Sequence, residues 1–416
     1  MSPVKVALAS FIGTAIEWYD FFIFGTAAAL VFSGKFFPSL SPVAGTLAAF
    51  ATFGVAFVAR PFGGIVFGHF GDRIGRKNML VFSLMTMGAG TVAIGLLPTY
   101  DQVGILAPIL LVLARLTQGF AVGGEWGGAV LMAVEHAPPG RRAFYGSWPQ
   151  AGVPVGMILS TGAFFLVGQL PEAQMLSWGW RVPFLASAVL LAVGLYIRLQ
   201  VIESPDFRAV REAKSVSRFP LADVLRGAKR PLVIGACTQA AAFIPFYLVT
   251  VFVLSYGPQQ LGISGNVILL AVIAGFTLDL VTLPAAAVLA DKFGRRNVLL
   301  VGSVYMGAIA FPFFWLFDTG TPWLIVVAMI LAIPIGHAVT YSAVAGYLAE
   351  LFPANLRYTG ASVTYQVGGA ITGGTAPFIA AALLAATGGS WAISAYIVLG
   401  CLVTFVALLG GKEAPR

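Results

Sequence analysis

The chain has 416 residues, of which 59% are hydrophobic and 10% are charged, and its mean hydropathy is +0.91. These values exclude an ordinary soluble globular protein and indicate a polytopic membrane protein. The formal net charge of +8 would suit nucleic acid only if the basic residues formed one face of a soluble domain, and they do not. Both cysteines, Cys237 and Cys401, fall in apolar runs, so no disulfide framework, zinc site or redox pair is expected.

Membrane-spanning helices need about 20 apolar residues each. The first apolar stretch contains acids and exceeds the usual core of a signal peptide, so it is predicted to span rather than to be cleaved. Twelve spans are predicted, at 6–33, 44–70, 78–98, 104–134, 142–168, 181–200, 231–257, 266–290, 298–317, 322–349, 358–386 and 390–410. The one long polar segment predicts two six-helix bundles, 1–200 and 231–416, joined by an amphipathic cytoplasmic linker at 201–230.

The orientation follows from the positions of lysine and arginine. With the N-terminus inside, 20 of the 24 basic residues fall on the cytoplasmic side, whereas Lys35 and Arg181 lie outside and Arg60 and Arg115 lie within spans. This asymmetry predicts that both termini are cytoplasmic, and it explains the positive charge without nucleic acid.

Two pairs of motifs repeat at nearly the same offset. GHFGDRIGRKNML after the second span and VLADKFGRRNVLL after the eighth place Asp72 and Asp291 219 residues apart. EHAPPGRR after the fourth span and ELFPANLR after the tenth place Glu135 and Glu350 215 residues apart. The repetition predicts a duplicated six-helix unit with a substrate site between parallel halves, near the membrane midplane.

The repeated loops suit a cytoplasmic gate. An Asp beside a Gly-containing turn accepts hydrogen bonds from a helix N-terminus, and the basic residues hold phosphate headgroups of the membrane lipids. The predicted gate residues are Gly68, Asp72, Arg73, Gly75, Arg76, Lys77, Glu135, Arg142, Asp291, Gly294, Arg295, Arg296, Glu350 and Arg357.

The motifs of the whole chain resemble the major facilitator superfamily, whose signature loop is similar to GHFGDRIGRK. Further stretches resemble its metabolite:H+ symporter family, namely EWYDFFIFG, ARPFGGIVFGHFGD, RLTQGFAVGGEWGGA, SWGWRVPF and IESPDF. Members of that family carry shikimate, hydroxybenzoates, citrate, 2-oxoglutarate, and proline or betaine. The shikimate-transporter branch is the most similar, through LAAFATFGVAFVARPFGG, GFAVGGEWGGA and YQVGGAITGGTAPFIAAAL. The resemblance implies an all-α fold of twelve transmembrane helices in two pseudo-symmetric bundles.

Charged groups inside a membrane are costly, which makes each one a functional hypothesis. Asp20 lies about 20 Å along the first helix, near mid-membrane, and Glu17 shares its face three residues earlier. Two poorly hydrated carboxyls so close together do not both ionise easily. At least one of them is therefore expected to carry a proton, which predicts a proton site. A static ion pair to the fourth helix remains the alternative for Asp20, and a hydrated structural role the alternative for Glu17.

Arg115 begins the pattern R-x-x-x-G-x-x-x-G with Gly119 and Gly123. This resembles the fourth helix of proton-coupled sugar porters, in which the matching Arg pairs with an Asp at the position of Asp20. The resemblance implies a switch in which deprotonated Asp20 holds Arg115, and protonation frees the guanidinium for an anionic substrate or for the closing motion.

The remaining charged residues within spans have open assignments. Arg60 suits either a carboxylate contact or the cytoplasmic gate. Glu125 can pair with Arg60 or with another helix, and either a functional role, including substrate contact, or a packing role suits it. Asp279 suits specificity or a water-filled cavity, whereas His337 suits a proton relay or a structural role. Weaker substrate-contact candidates, residue types that more often form a helix–helix hydrogen bond than bind a ligand, are Gln118, Trp148, Gln150, Gln239, Tyr247, Tyr341, Tyr365 and Gln366.

The sequence therefore predicts a monomeric secondary transporter of the plasma or bacterial inner membrane. It is expected to move a small organic anion together with H+, without another cofactor, metal or catalytic residue. A proline/betaine carrier is the alternative substrate class, although no extended coiled coil of the osmosensing type follows the last span. Antiport or uniport by the same fold remains the alternative mechanism.

Overall fold

The computed structural model describes residues 3–74, 76–123, 142–200, 227–352 and 357–411. Every regular element in these ranges is helical. Twelve apolar helices, α1 to α12, have the bounds Ala7–Phe36, Pro42–Phe67, Asn78–Leu96, Leu106–Val122, Trp148–Val167, Gly179–Leu199, Lys229–Leu261, Gly265–Phe293, Arg295–Phe317, Pro322–Leu348, Thr359–Thr387 and Trp391–Gly410. Each corresponds to one predicted span, which confirms the all-α membrane fold. Most of the predicted linker lies outside the described residues.

The first gate motif is more helical than the sequence suggests. One helix runs through Pro42–Ile74 and the next begins at Arg76, so the described residues of this motif are helical. The second copy resembles it, because helices Gly265–Phe293 and Arg295–Phe317 are separated by Gly294 alone. Gly294 has φ 95°, a conformation that glycine adopts readily and other residues rarely do.

The duplication is also visible in the helix geometry. A π-helical turn at Ala28–Phe32 interrupts α1, and another at Leu248–Phe252 interrupts α7, 220 residues later. This offset is close to those of the repeated motifs. Because π turns are rare and concentrate at functional sites, their recurrence at matching positions supports two copies of one six-helix unit.

Glycines allow α2 and α4 to approach until their backbones touch. A methyl group at Gly119 would overlap the Ala56 carbonyl oxygen, and one at Gly123 would overlap that of Arg60. From the opposite side, a methyl group at Gly63 would overlap the carbonyl of Phe120. The predicted small-residue stripe thus packs against α2 and fixes the two intramembrane arginines, Arg60 and Arg115, relative to one another.

The two bundles meet along α1, α2 and α5 on one side and α7, α8 and α11 on the other. At the centre of this interface a methyl group on Gly54 of α2 would lie 2.8 Å from the carbonyl oxygen of Gly374 at α11. Gln366 Nε2 also donates to the Gly123 carbonyl, at 3.2 Å. The two halves therefore touch directly where α2 meets α11 and where Gln366 meets the end of α4.

The halves also touch at their predicted outer ends. Asn266 Nδ2 donates to the Gly168 carbonyl at 3.2 Å, and Gln259 Nε2 donates to Thr46 Oγ1 at 3.4 Å. These contacts join α8 to the end of α5, and α7 to the start of α2. The structure is consequently closed at this end of the interface.

The SWGWRVPF motif fastens α6 to its neighbours. Trp180 is fully buried among the rings of Phe32, Phe36 and Phe184. Arg181 lies over the Trp180 ring and donates to the Gly95 and Leu97 carbonyls, at 2.9 and 2.6 Å, at the end of α3. These contacts assign the motif a structural role in the N-terminal bundle.

Replacing Gly119 with Ala should separate α2 from α4 and lower the unfolding temperature in detergent. Forced overpacking costs roughly 1–3 kcal/mol in well-packed interiors. The matched control is Gly162→Ala in α5, where an added methyl group meets no atom within 4 Å. Equal melting temperatures for the two variants in a fluorescence-monitored thermal scan would contradict the assigned packing.

Candidate functional site

Two buried arginines flank one phenylalanine ring at the centre of the N-terminal bundle. The guanidinium carbon of Arg60 lies 4.5 Å from the Phe21 ring centroid, and that of Arg115 lies 4.6 Å from it. Arg60 also lies 4.3 Å from Phe57, and Arg115 lies 4.0 Å from Phe24. Aromatic faces stabilise desolvated guanidinium groups by roughly 2 kcal/mol or more in favourable cases. The rings therefore hold two positive charges close together without neutralising them.

Both guanidinium groups retain hydrogen-bonding capacity. Arg115 is fully buried, and its only described hydrogen bond runs from a terminal nitrogen to Gln118 Oε1, at 3.0 Å. Its Nε and its other terminal nitrogen have no described acceptor, and neither does Nε of Arg60. Buried N–H groups of a cation are costly to leave unpaired. The pair of arginines is consequently suited to an anion that accepts several hydrogen bonds.

Asp20 does not pair with Arg115. Its Oδ1 accepts a 2.6 Å hydrogen bond from Ser187 Oγ of α6, while Oδ2 has no described donor. The ion pair expected from the sugar-porter resemblance is absent from the described contacts, because Arg115 turns toward Gln118 and the aromatic rings instead. The prediction of a direct Asp20–Arg115 pair is therefore wrong for this conformation.

Hydrogen bonds nevertheless connect the neighbourhoods of Asp20 and Arg115. Gln118, whose Oε1 accepts from Arg115, donates through Nε2 to Thr91 Oγ1 of α3, at 2.7 Å. The Thr91 hydroxyl donates to the Met87 carbonyl of its own helix, at 3.0 Å, and lies close to the Asp20 carboxylate. Polar side chains of α3 and α4 thus form a route between the buried acid and the buried base, which we call the Thr91–Gln118 relay.

Glu17 lies closer to the predicted cytoplasmic end of α1, within electrostatic range of both Arg60 and Arg198. The charge count places Arg198 on the cytoplasmic side, and the structure buries its side chain at the C-terminal end of α6. It donates to the Leu80 carbonyl at 2.7 Å and lies against Gly13. Glu17 is therefore shared between two cations and is not simply a neighbour of Asp20.

Aromatic residues of α7 continue the wall across the bundle interface. The Tyr247 ring contacts Phe21, Phe53 and Phe57 of the N-terminal bundle, with centroid distances of 5.5 to 6.2 Å. Its hydroxyl faces Arg60. The hydroxyls of Tyr341 and Tyr365 lie 3.2 Å apart on the C-terminal side. Three predicted tyrosines thus line the region where the two halves meet.

Asp279 and His337 form a buried pair in the C-terminal bundle. Asp279 Oδ2 lies 3.2 Å from His337 Nδ1, and the side chains are 0% and 4% exposed, respectively. Asp279 therefore faces a partner on α10 and not a water-filled cavity in this conformation, and its role in specificity stays a prediction. In the described ranges, no group of three or more His, Cys, Asp or Glu residues could hold a metal ion.

The predicted glutamines have different positions. Gln239 is fully buried, and its Nε2 donates to the Thr364 carbonyl at 2.8 Å, which joins α7 to α11. Gln150 is buried in α5 with an Oε1 that lacks a described donor, whereas Trp148 is half-buried at the start of that helix. Gln239 and Gln366 therefore act as helix–helix links in this conformation, and Gln150 retains a free acceptor.

The C-terminal gate motifs meet one another. Arg295 bonds Glu350 at 2.5 Å and Asp291 at 3.1 Å, so the two repeated motifs of this half form one cluster. Arg296 donates to the Leu408 carbonyl at 2.7 Å and ties the same cluster to α12. In the N-terminal half, Gly75, Glu125 and Glu135 lie outside the described residues. Other gate residues have a described helical backbone but no described side chain: Asp72, Arg73, Arg76, Lys77, Arg142 and, in the other half, Arg357.

Several residues of this region escape the sequence analysis. Ser187 and Thr91 are single small hydroxyls in apolar helices, where such residues usually bond to their own backbone, as Thr91 does to the Met87 carbonyl. Phe21, Phe24, Phe53 and Phe57 resemble lipid-facing positions, since nothing in their spacing marks the side of a helix that carries a cation. The aromatic support could have been suggested only by the proximity of Arg60 and Arg115 across α2 and α4, and the sequence does not show that proximity.

Comparison with known proteins places these features in a family. The Major Facilitator Superfamily matches the chain at residues 10–377 and 258–416. The shikimate transporter of Escherichia coli K12 is 42% identical over 99% of this chain and 95% of its own length. The inner membrane metabolite transport protein YhjE of the same organism is 45% identical over 97% of this chain and 93% of its own. Its proline/betaine transporter is less similar, at 33% identity over 99% of this chain and 84% of its own.

A solved structure supports the fold. The crystal structure of a D-xylose-proton symporter superposes with a TM-score of 0.76 and covers 97% of each chain, at 19% sequence identity. At this level of identity the likeness concerns architecture alone. Together with the family match over most of the sequence, it shows that the chain belongs to the major facilitator superfamily, as a twelve-helix membrane transporter and not an enzyme.

Proposed function

We propose that the chain is a proton-coupled symporter that carries a small organic acid through the bacterial inner membrane by alternating access. The observation that carries this proposal is the pair of buried guanidinium groups on either side of Phe21, with N–H donors that have no described acceptor. A guanidinium fork matches a carboxylate through two parallel hydrogen bonds. Two such forks suit an acid better than a sugar or a zwitterion.

The surroundings favour a cyclic acid. Phe21, Phe53, Phe57 and Tyr247 form a continuous aromatic wall beside Arg60 and Arg115. Flat apolar faces next to a few directed donors are typical of sites for small ring compounds. The 42% identity to a shikimate transporter agrees with this class, whereas the 33% identity to a proline/betaine transporter gives less support to an osmolyte.

Asp20 is the proposed carrier of the coupled proton. It is 1% exposed, one carboxylate oxygen accepts from Ser187, and the other has no described donor. An ionised carboxylate in such a place is costly, so protonation and deprotonation must accompany a change in its surroundings. Transport would supply that change when the inner and outer openings alternate.

The Thr91–Gln118 relay links this proton to the substrate. When Asp20 is ionised, the Thr91 hydroxyl can rotate from the Met87 carbonyl to donate to the carboxylate, which strengthens the hold of Thr91 on Gln118 and of Gln118 on Arg115. Protonation of Asp20 weakens that acceptor, so the hydroxyl returns to the Met87 carbonyl and Arg115 is loosened for the substrate carboxylate. The switch therefore acts through two neutral side chains and needs no direct Asp20–Arg115 contact.

Replacing Asp20 with Asn should abolish accumulation of the labelled acid against a gradient while leaving exchange intact, because an amide side chain neither gains nor loses a proton near neutral pH. The measurement is uptake by proteoliposomes with an imposed pH gradient, against counterflow without one. Asp101→Asn, which changes an exposed acid in a short helix between α3 and α4, is the control. Uphill uptake by Asp20→Asn at the wild-type level would exclude this role, and substrate uptake without proton movement in wild type would indicate a uniporter. Proton efflux during uptake would indicate an antiporter.

Replacing Arg115 with Lys should weaken binding of an acid but not of its uncharged amide or ester analogue, because an ammonium cannot reproduce the fork. Loss of charge-assisted hydrogen bonds costs roughly 1.5–3 kcal/mol, or about 10- to 100-fold in affinity. Thermal-shift and calorimetric titrations with shikimate, quinate, hydroxybenzoates, citrate, 2-oxoglutarate, proline and betaine provide the comparison. Arg230→Lys, on the exposed start of α7, should leave every affinity unchanged. Equal losses for neutral and acidic compounds would argue against carboxylate recognition.

Replacing Gln118 with Leu should uncouple proton movement from substrate movement without removing either charged group. Substrate-driven alkalinisation outside the vesicles should fall severalfold while counterflow continues. Thr117→Val is the neighbouring control, since Thr117 bonds only the Leu113 carbonyl of its own helix and is exposed. A wild-type ratio of protons to substrate in Gln118→Leu would show that the relay does not carry the coupling.

A further inference from the structure

We propose that Asp279 and His337 form a second proton-binding site, located in the C-terminal bundle and independent of Asp20. The proposal rests on the proton-coupled transport proposed above, to which it adds a site in the other half of the molecule. The residues come from two helices, α8 and α10, that pack closely against each other. Among the described residues, they are the charged or readily charged side chains that lie deep within the C-terminal bundle.

The geometry favours an exchangeable proton. His337 Nδ1 and Asp279 Oδ2 are 3.2 Å apart, so one proton lies between them, whichever atom carries it. Asp279 Oδ1 is buried without a described donor. With one further proton on the pair, its total charge is zero; without that proton, the total charge is −1. A buried site of zero net charge is far cheaper to desolvate than a charged one, so the dry conformation retains the proton and hydration releases it.

The neighbours provide no other charge that would neutralise Asp279. From α7, Phe246 stacks on the His337 ring with centroids 4.7 Å apart, and from α8 itself Phe276 lies edge-on to it at 6.0 Å. On α10, Tyr341 stacks on the other face at 4.9 Å, and its hydroxyl meets that of Tyr365 from α11. From α9, Tyr305 bonds the Leu331 carbonyl. The titratable groups facing the pair are therefore tyrosines, and in the described surroundings His337 is the one base next to Asp279.

The location connects the pair to moving parts of the fold. His337 ends a π-helical segment, Leu331–His337, that contains Pro334, so α10 has a break in regular hydrogen bonding at this point. Phe246, which covers the His337 ring, also contacts Phe22 of α1, with centroids 5.6 Å apart. A change in the charge of the pair can therefore reach both the irregular turn of α10 and the interface with the N-terminal bundle.

The internal repeat assigns this site a counterpart. Asp279 precedes the gate residue Asp291 by 12 residues, and Arg60 precedes the gate residue Asp72 by the same 12. Equivalent positions on α2 and α8 thus carry a buried cation in one half and a buried acid in the other. The base in the N-terminal half is supported by rings and faces the anion site, whereas the acid in the C-terminal half is supported by a histidine. The two copies of this position therefore have different roles: Arg60 binds the substrate, and Asp279 binds a proton.

Nitrogen-15 NMR of histidine-labelled protein tests the site without any substrate. The chain contains only three histidines, so the His337 signals are assigned by their loss in His337→Gln. In wild type, the His337 ring signals should change from those of the charged form to those of the neutral form as the pH is raised over the range in which the protein stays folded. In Asp279→Asn the transition should shift. A ring that keeps one form over the whole range, or a transition unaffected by Asp279→Asn, would overturn the proposal.

Counting protons in proteoliposomes supplies the second measurement. With shikimate as the probe and a pH dye trapped inside, Asp279→Asn and His337→Gln should carry fewer protons per substrate than wild type while Asp20 still drives uptake. Tyr305→Phe, which removes a hydrogen bond to the same π segment, should keep the wild-type ratio. Wild-type ratios in both pair variants would overturn the second site and leave Asp20 as the carrier. Absence of any proton flux in wild type would refute the proposed symport, while the NMR titration would still decide whether the pair binds a proton.

Discussion

The positions of the buried charges depend on how the protein stabilises two guanidinium groups in an interior that excludes water. Each costs several kcal/mol to desolvate, and the described contacts supply no carboxylate close enough to form an ion pair with Arg115. The molecule instead provides aromatic faces, with Phe21 serving both cations. Such support lowers the cost of the charge without occupying N–H donors, so Nε and one terminal nitrogen of Arg115 and Nε of Arg60 have no described acceptor. A direct ion pair with Asp20 would have consumed the donors that a substrate needs.

That arrangement requires α1, α2 and α4 to be closer than ordinary side chains permit. Gly119 and Gly123 remove the obstacle on α4, so the α2 backbone at Ala56 and Arg60 rests directly on it. Gly152 and Gly156 of α5 do the same for α1 near Ala15, and this helix presents Phe21 between the arginines. In a membrane, where burial of apolar surface does not drive helices together, close backbone packing supplies much of the attraction. The glycine content of the chain is thus a condition for the site.

The acids are separated from the bases in a way that suits coupling. Asp20 accepts from Ser187, and in the described contacts Thr91 and Gln118 lie between it and Arg115. Glu17 lies between Arg60 and Arg198, nearer the predicted cytoplasmic end. In the other half, Asp279 has a histidine and no arginine. Each buried acid therefore has different neighbours, which allows its proton to be lost at a different stage of a conformational cycle.

The amino-acid sequence alone determined the class, the twelve spans and the duplication, because membrane insertion depends on hydropathy and repeats depend on spacing. It also identified Asp20, Arg115, Arg60, Asp279 and His337, since a charge in an apolar run is conspicuous without any structure. The hydrogen-bond partners of these residues could not be determined from the sequence. His337 contacts Asp279, 58 residues away, and Ser187 contacts Asp20, 167 residues away, and such contacts depend on how helices rotate and cross. Rotation is set by the packing of many small and aromatic side chains at once. Only the tertiary structure, therefore, decided that Arg115 faces rings and a glutamine rather than Asp20.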